Sequence, residues 1–193
     1  LRGEDFLWNL NAEQGYGTHF STIQLYILGL FVLMIGMEKR KAAGSPKETW
    51  PWYLVASMYF FIGLDDCIAI HEHFIKWSQA IAPGMGGFHL IHEWLWFYGP
   101  FMLFATAFLT RFFWIEFRGS GGIIFMMFLA TLMWLGVLIM EGVAKSLEAS
   151  SLEESRIGIA VEEGLEMFGA TLFLFGFSLY QRRKSPRITN SST

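Results

Sequence analysis

Five long apolar stretches dominate the chain and limit what it can fold into. They are Phe20–Met37, Trp50–Leu64, Trp94–Thr110, Gly121–Met140 and Met167–Tyr180. Two of them approach the roughly 20 residues that a bilayer-spanning helix needs, and the others reach that length by including neighbouring polar residues. Only 16% of the residues are charged, so a soluble fold would have too little polar surface to cover five such stretches. The sequence therefore predicts an all-α integral membrane bundle with five transmembrane helices.

Charge and cysteine content narrow the class of protein further. The net charge is −3 and the isoelectric point is about 6.0, so we expect no nucleic-acid partner. The single cysteine, Cys67, excludes an internal disulfide bond. No repeat or change of composition divides the chain. We therefore expect one five-span membrane domain over residues 1–184 and a flexible basic, Ser/Thr-rich tail over residues 185–193.

The basic residues predict how the helices are oriented in the bilayer. Ten of the 14 lysines and arginines fall in the loop between spans 1 and 2, the loop between spans 3 and 4, and the C-terminal tail. They are Lys39, Arg40, Lys41, Lys47, Arg111, Arg118, Arg182, Arg183, Lys184 and Arg187. Because short basic loops stay in the cytoplasm, we expect the N-terminus outside and the C-terminus in the cytoplasm, in a plasma or inner membrane.

Several carboxylates lie too deep in the predicted spans to be solvated. The apolar part of span 2, Trp50–Leu64, makes about 22 Å of helix, whereas the hydrocarbon core of a bilayer is about 30 Å thick. Asp65 and Asp66 must therefore lie inside the membrane, toward its outer side. The apolar part of span 5 is equally short, and the glutamates that complete it are Glu162, Glu163 and Glu166. A carboxylate at this depth costs several kcal/mol unless it is paired, protonated or bound to a metal.

The helical phase places these polar residues on common faces. On span 2, a face about 120° wide carries Asp65, Asp66, Glu72 and His73. The corresponding faces carry His89, His92 and Glu93 on span 3, Glu141 on span 4, and the three glutamates on span 5. Gly169 and Ala170 continue the face of span 5 with small side chains that suit close helix contact. We expect a four-helix polar core made of spans 2–5, with span 1 at the periphery.

Carboxylates and imidazoles on facing helices form a ligand set for a metal ion. Helix bundles hold iron or manganese pairs with carboxylate ligands, and zinc also accepts histidine and carboxylate ligands. We expect a mono- or dinuclear site for a divalent or redox metal, with an iron or manganese pair favoured over zinc. The predicted metal ligands are Asp66, His73, His89, His92, Glu93, Glu141, Glu163 and Glu166. The predicted catalytic carboxylates are Asp65, Glu72 and Glu162.

A metal site near the outer membrane face would act on a lipid-like or other hydrophobic substrate, by oxidation or by hydrolysis. Sequence motifs leave the reaction open, because the Glu-x-x-His spacing of di-iron bundles, the histidine boxes of membrane desaturases and the His-Glu-x-x-His zinc motif do not occur. Two other functions remain open. The deep carboxylates could handle protons or ions, or the chain could be an accessory subunit bound to other membrane subunits.

Overall fold

Five helices make up the part of the chain that the structure describes. The structure is a computed structural model, and the described residues are 16–43, 45–68, 70, 93–144 and 152–184. In chain order the helices are α1 (Tyr16–Ala43), α2 (Pro46–Ile68), α3 (Glu93–Glu116), α4 (Gly121–Ala144) and α5 (Leu152–Lys184). No strand occurs within these ranges, so the predicted all-α class is confirmed there.

Local sequence explains where two of the helices begin. α2 starts at Pro46, since the first turn of a helix does not need the amide hydrogen that proline lacks. Between α3 and α4, Gly119 adopts a φ of 87°, a left-handed conformation that residues with a side chain rarely adopt. The carbonyl of Ser120 then accepts hydrogen bonds from the amides of Ile123 and Ile124 at 2.9 and 3.0 Å. These bonds start α4 immediately after α3, which makes the two helices antiparallel neighbours.

Two of the described helices have the length and composition of membrane spans. They are α1 over His19–Ala42 and α4 over Gly121–Met140. The buried share of the span is 44% in α1 and only 22% in α4, so fewer than a quarter of the residues in the α4 span are buried inside the bundle. The other three described helices do not meet the same criterion. By themselves, the described helices therefore support two membrane spans, against the five predicted.

One face of helix α1 packs into the core of the bundle, while the opposite face is exposed. It packs along α2 and also contacts α5, and its Leu25, Leu28 and Val32 are fully buried. α4 packs along α5, and α3 contacts both α2 and α4. The predicted position of span 1 at the periphery is therefore wrong. A helix that is apolar all round has no polar stripe from which its buried face could be identified in the sequence.

The indole of Trp52 connects four helices at one end of the bundle. It is fully buried, and its ring centroid lies 5.0 Å from that of Phe112 on α3 and 5.4 Å from that of Tyr180 on α5. The ammonium of Lys39 on α1 lies 4.5 Å from the indole centroid. Because Trp52 itself belongs to α2, one side chain holds α1, α2, α3 and α5 together through aromatic and cation–π contacts.

An ion pair joins α1 to α3 beside this tryptophan. Lys39 contacts the carboxylate of Glu116, and the two side chains are only 20% and 18% exposed. The hydroxyl of Tyr180 donates a hydrogen bond to the same carboxylate at 3.3 Å. A partly desolvated ion pair needs such additional hydrogen bonds to be favourable. The contact therefore ties the ends of α1, α3 and α5 to one another.

Close contact between α4 and α5 depends on Gly169. A Cβ atom added at Gly169 would lie 2.5 Å from Cδ1 of Trp134 on α4. The neighbouring Ala170 is 2% exposed. Small residues allow helix axes to approach each other closely, which matters most where lipid and side chains are equally apolar. The close helix contact predicted at Gly169 and Ala170 is confirmed.

Gly169→Ala is expected to lower the free energy of unfolding by about 1–3 kcal/mol, because the new methyl group must displace the indole of Trp134. Gly158→Ala on the same helix is the matched control, since an added Cβ there meets no atom within 4 Å. Thermal unfolding in detergent, followed by circular dichroism, compares the two. Equal stabilities of the two variants would contradict the close contact.

Lys39→Met is expected to lower the free energy of unfolding by about 1–3 kcal/mol, because it leaves the carboxylate of Glu116 without its counter-ion. The double variant Lys39→Met/Glu116→Leu should recover at least half of that loss. Lys47→Met removes an exposed charge from the first turn of α2 and serves as the control, with a change within about 0.5 kcal/mol. Strictly additive losses in the double-mutant cycle would argue against a stabilising pair.

Candidate functional site

Two hydroxyl groups of α1 bind the carboxylate of Asp66 on α2. Ser21 Oγ donates to Asp66 Oδ2 at 2.5 Å, and Thr22 Oγ1 donates to the same oxygen at 2.9 Å. Ser21 is 0% and Thr22 is 5% exposed, so both donors are removed from solvent. Hydrogen bonds to a carboxylate are stronger than bonds between neutral groups. Asp66 is therefore held in a fixed, half-buried position between α1 and α2.

Glu163 on α5 places a second carboxylate within electrostatic range of Asp66. Its side chain is half-buried, and the two groups are close enough to repel each other electrostatically. The Oε2 atom of Glu163 is buried and has no hydrogen-bond partner among the described residues. A buried polar atom without a partner costs about 1–3 kcal/mol. Within the described part of the protein, the site thus lacks a group that would satisfy this oxygen.

A further polar contact connects α1 to α5. Gln24 Nε2 donates to Thr171 Oγ1 at 3.2 Å. The other amide atom, Gln24 Oε1, is buried, and no described residue forms a hydrogen bond with it. The interface of α1, α2 and α5 is therefore rich in oxygen atoms, the ligand type that hard cations and Mn²⁺ prefer.

Three other predicted site residues lie on the same two helices as Asp66 and Glu163. Asp65 on α2 and Glu162 and Glu166 on α5 are half-buried, and each has at least one interaction partner. The backbone carbonyl of Glu166 accepts a hydrogen bond from Nε1 of Trp134 at 3.3 Å, which links α4 to this region. The name carboxylate cluster denotes these five acidic residues of α2 and α5 taken together: Asp65, Asp66, Glu162, Glu163 and Glu166.

The remaining predicted ligands and the third catalytic carboxylate fall outside the side chains that the structure describes. Of these, Glu93 begins α3 and Glu141 lies in the last turn of α4, while the others are Glu72, His73, His89 and His92. In the ranges that are described, no three His, Cys, Asp or Glu side chains are grouped so that they could hold a metal ion. The complete metal-binding set therefore stays a prediction.

Comparison with known families places the chain in one of them. A profile for a domain of unknown function, DUF8692, matches residues 6–180. The chain belongs to the DUF8692 family. The match begins before α1 and ends near the end of α5, so it includes both Asp66 and Glu163. No curated protein and no solved structure matches this DUF8692 chain.

Two carboxylates within electrostatic range of each other in the DUF8692 domain could share a cation or a proton. Either event removes the repulsion between the like charges of Asp66 and Glu163. A cation would also give a partner to the buried Oε2 atom of Glu163, whereas a proton on that atom would itself need an acceptor.

Two residues of this DUF8692 site were not predicted from the sequence. Ser21 and Thr22 carry no charge, and hydroxyl groups in helices commonly bond to their own backbone. A signal was nevertheless present, because a carboxylate at membrane depth requires hydrogen-bond donors. Antiparallel pairing of α1 and α2 places the start of α1 beside the end of α2. The two hydroxyls were therefore the nearest donors available to Asp66.

The double variant Ser21→Ala/Thr22→Val is expected to lower the free energy of unfolding by about 1.5–3 kcal/mol, because Asp66 loses both donors. Ser57→Ala is the control, since this exposed hydroxyl donates its hydrogen bond to the carbonyl of Tyr53 on its own helix. In an Asp66→Asn background the same two substitutions should lower the free energy of unfolding by less than half as much. The measurement is unfolding in mixed detergent micelles, and an equal cost in both backgrounds would contradict the assigned bonds.

Proposed function

We propose that this DUF8692 protein is a multi-pass membrane protein that binds a divalent or redox metal at the carboxylate cluster and acts on a lipid-like substrate. One observation carries the proposal: Asp66 and Glu163 lie on two helices within electrostatic range of each other, and a buried oxygen of Glu163 has no hydrogen-bond partner among the described residues. Like charges this close are unfavourable unless a cation or a proton neutralises them.

The outer surface of the described helices supports the membrane placement. Large apolar side chains are strongly exposed on three helices, with Leu103 at 70% on α3, Phe125 at 67% on α4 and Phe168 at 67% on α5. Soluble monomers rarely expose extended apolar surface, whereas lipid-facing helices do. Together with the two apolar helices α1 and α4, this supports five spans, with the N-terminus outside and the C-terminus in the cytoplasm.

Asp66 and Glu163 would be two of the metal ligands, and we propose that histidines from the neighbouring sequence complete the set. The histidines in question are His73, His89 and His92. A mixture of carboxylate and imidazole ligands suits iron, manganese or zinc. Ser21 and Thr22 would then orient Asp66 from outside the coordination sphere, as hydrogen-bond donors do around many metal-binding carboxylates.

An exposed aromatic pair near the carboxylate cluster supports a hydrophobic substrate. The rings of Phe61 on α2 and Phe101 on α3 lie 5.6 Å apart, and the residues are 37% and 43% exposed. Phe61 precedes Asp65 by one helical turn, so an acyl chain against the pair would bring its polar end toward the cluster. The metal would supply Lewis-acid or redox chemistry, and Glu162 would act as general base.

Metal content tests the proposal directly. The full chain, purified in detergent, is expected to contain stoichiometric iron, manganese or zinc by elemental mass spectrometry. Asp66→Asn and Glu163→Gln should each lower the metal affinity by at least about tenfold, because each removes one ligand charge. Glu48→Gln is the control, since it removes an exposed carboxylate from the opposite end of α2 and should leave metal content unchanged.

A wild-type protein that stays folded and takes up none of the three metals would contradict the metal site. Proton flux into liposomes that Glu163→Gln abolishes would then assign the same carboxylates to proton transfer. Release of the chain from membranes by alkaline carbonate would separately contradict the membrane placement.

A further inference from the structure

We infer that the basic end of the bundle is a binding surface for the headgroups of anionic phospholipids. The basic end consists of Lys39, Arg40, Lys41, Lys47, Arg111, Arg118, Arg182, Arg183 and Lys184. The inference rests on the proposed membrane placement of the helices and is independent of the proposed metal.

Contacts between helix ends bring these basic residues to one side of the protein. Arg183 on α5 donates a hydrogen bond to Ser120 Oγ, between α3 and α4, at 2.8 Å. The side-chain amide of Gln181 donates to the carboxylate of Glu38 on α1. α2 begins at Pro46, shortly after the end of α1. The last turns of α1, α3 and α5 and the first turns of α2 and α4 therefore meet at the basic end.

The basic end carries a large excess of positive charge. Among the described residues of these helix ends, nine basic side chains stand against three acidic ones, Glu38, Glu48 and Glu116. Glu116 is already paired with Lys39, and the eight other basic residues are exposed. The whole chain has a net charge of −3, so positive charge is concentrated here. Such a concentration of charge attracts an anionic surface.

Exposed apolar residues border the basic end and indicate the kind of partner. Trp50 on α2 is 52% exposed, and Trp114 and Ile115 on α3 are 57% and 54% exposed. Arg111 shares a face of α3 with Trp114 and Ile115, which follow it by three and four residues. Indole rings favour the boundary between headgroups and acyl chains, and long basic side chains reach the phosphates above it. A nucleic acid or an acidic protein would leave this apolar border uncovered.

Three arginines are available to bind lipid phosphates directly. Arg111, Arg118 and Arg182 are exposed, and none of them forms an ion pair or a hydrogen bond through its side chain with another described residue. Arg183 and Lys184 are instead engaged with Ser120 and Tyr180. The three arginines can therefore be substituted without breaking the contacts that hold the helix ends together.

Native mass spectrometry of the detergent-purified full chain tests the inference. The protein is mixed with equal amounts of phosphatidylglycerol and phosphatidylcholine that have the same acyl chains. The wild type is expected to retain phosphatidylglycerol with a preference of at least about tenfold, which high salt reduces. Arg118→Gln should lower that preference by about fivefold, and the triple variant with Arg111→Gln and Arg182→Gln should lower it further. Arg156→Gln removes one charge near the opposite end of α5 and should leave the preference unchanged.

Equal retention of the two lipids by the wild type would overturn the inference, as would equal effects of Arg118→Gln and Arg156→Gln. Carbonate extraction of native membranes distinguishes this failure from failure of the membrane placement. A chain that stays in the membrane fraction but shows no lipid preference overturns the lipid surface alone. A chain that is released overturns both.

Discussion

The contact of Trp52 with three other helices is the interaction on which the remaining arrangement depends. This fully buried side chain of α2 is surrounded by aromatic rings from α3 and α5 and by the ammonium of Lys39 from α1. Among apolar helices in lipid, hydrophobicity does not select which faces meet, so shape and polar contacts must do so. A large rigid ring with fixed neighbours on several helices therefore sets how α2 is rotated about its own axis and how far it is shifted along α5.

The contacts of Trp52 fix the position of α2 along α5, and this position determines how near Asp66 lies to Glu163. From Trp52 to Asp66, α2 rises by about 21 Å, and from Tyr180 back to Glu163, α5 extends by about 25 Å. The two helices run in opposite directions, so Asp66 and Glu163 lie at a similar level along the axis of the bundle. Further aromatic contacts between α2 and α5 keep this register along the way. The carboxylate cluster thus depends on ring contacts about 20 Å away from it.

Span lengths and helical phase singled out the acidic residues of α2 and α5 as a candidate site, because a charge inside an apolar span is recognisable from its position alone. Their role as a site stays a prediction. The same reasoning predicted the close contact at Gly169. The position of α1 could not be predicted, since a uniformly apolar helix does not reveal its buried face. The partner of Lys39 could not be predicted either, because Glu116 lies 77 residues away and both residues were expected in loops between spans.

Exposure distinguishes the two ends of the bundle more clearly than the sign of their charge. Eight of the nine cations at the basic end are exposed, so they keep their hydration and cost little stability. In the carboxylate cluster all five acidic residues are half-buried, and the buried oxygen of Glu163 has no hydrogen-bond partner within the described helices. Burying like charges together destabilises a fold unless a counter-charge offsets the cost. We therefore expect the chemistry at the carboxylate cluster, and we expect the basic end to anchor the bundle in a membrane.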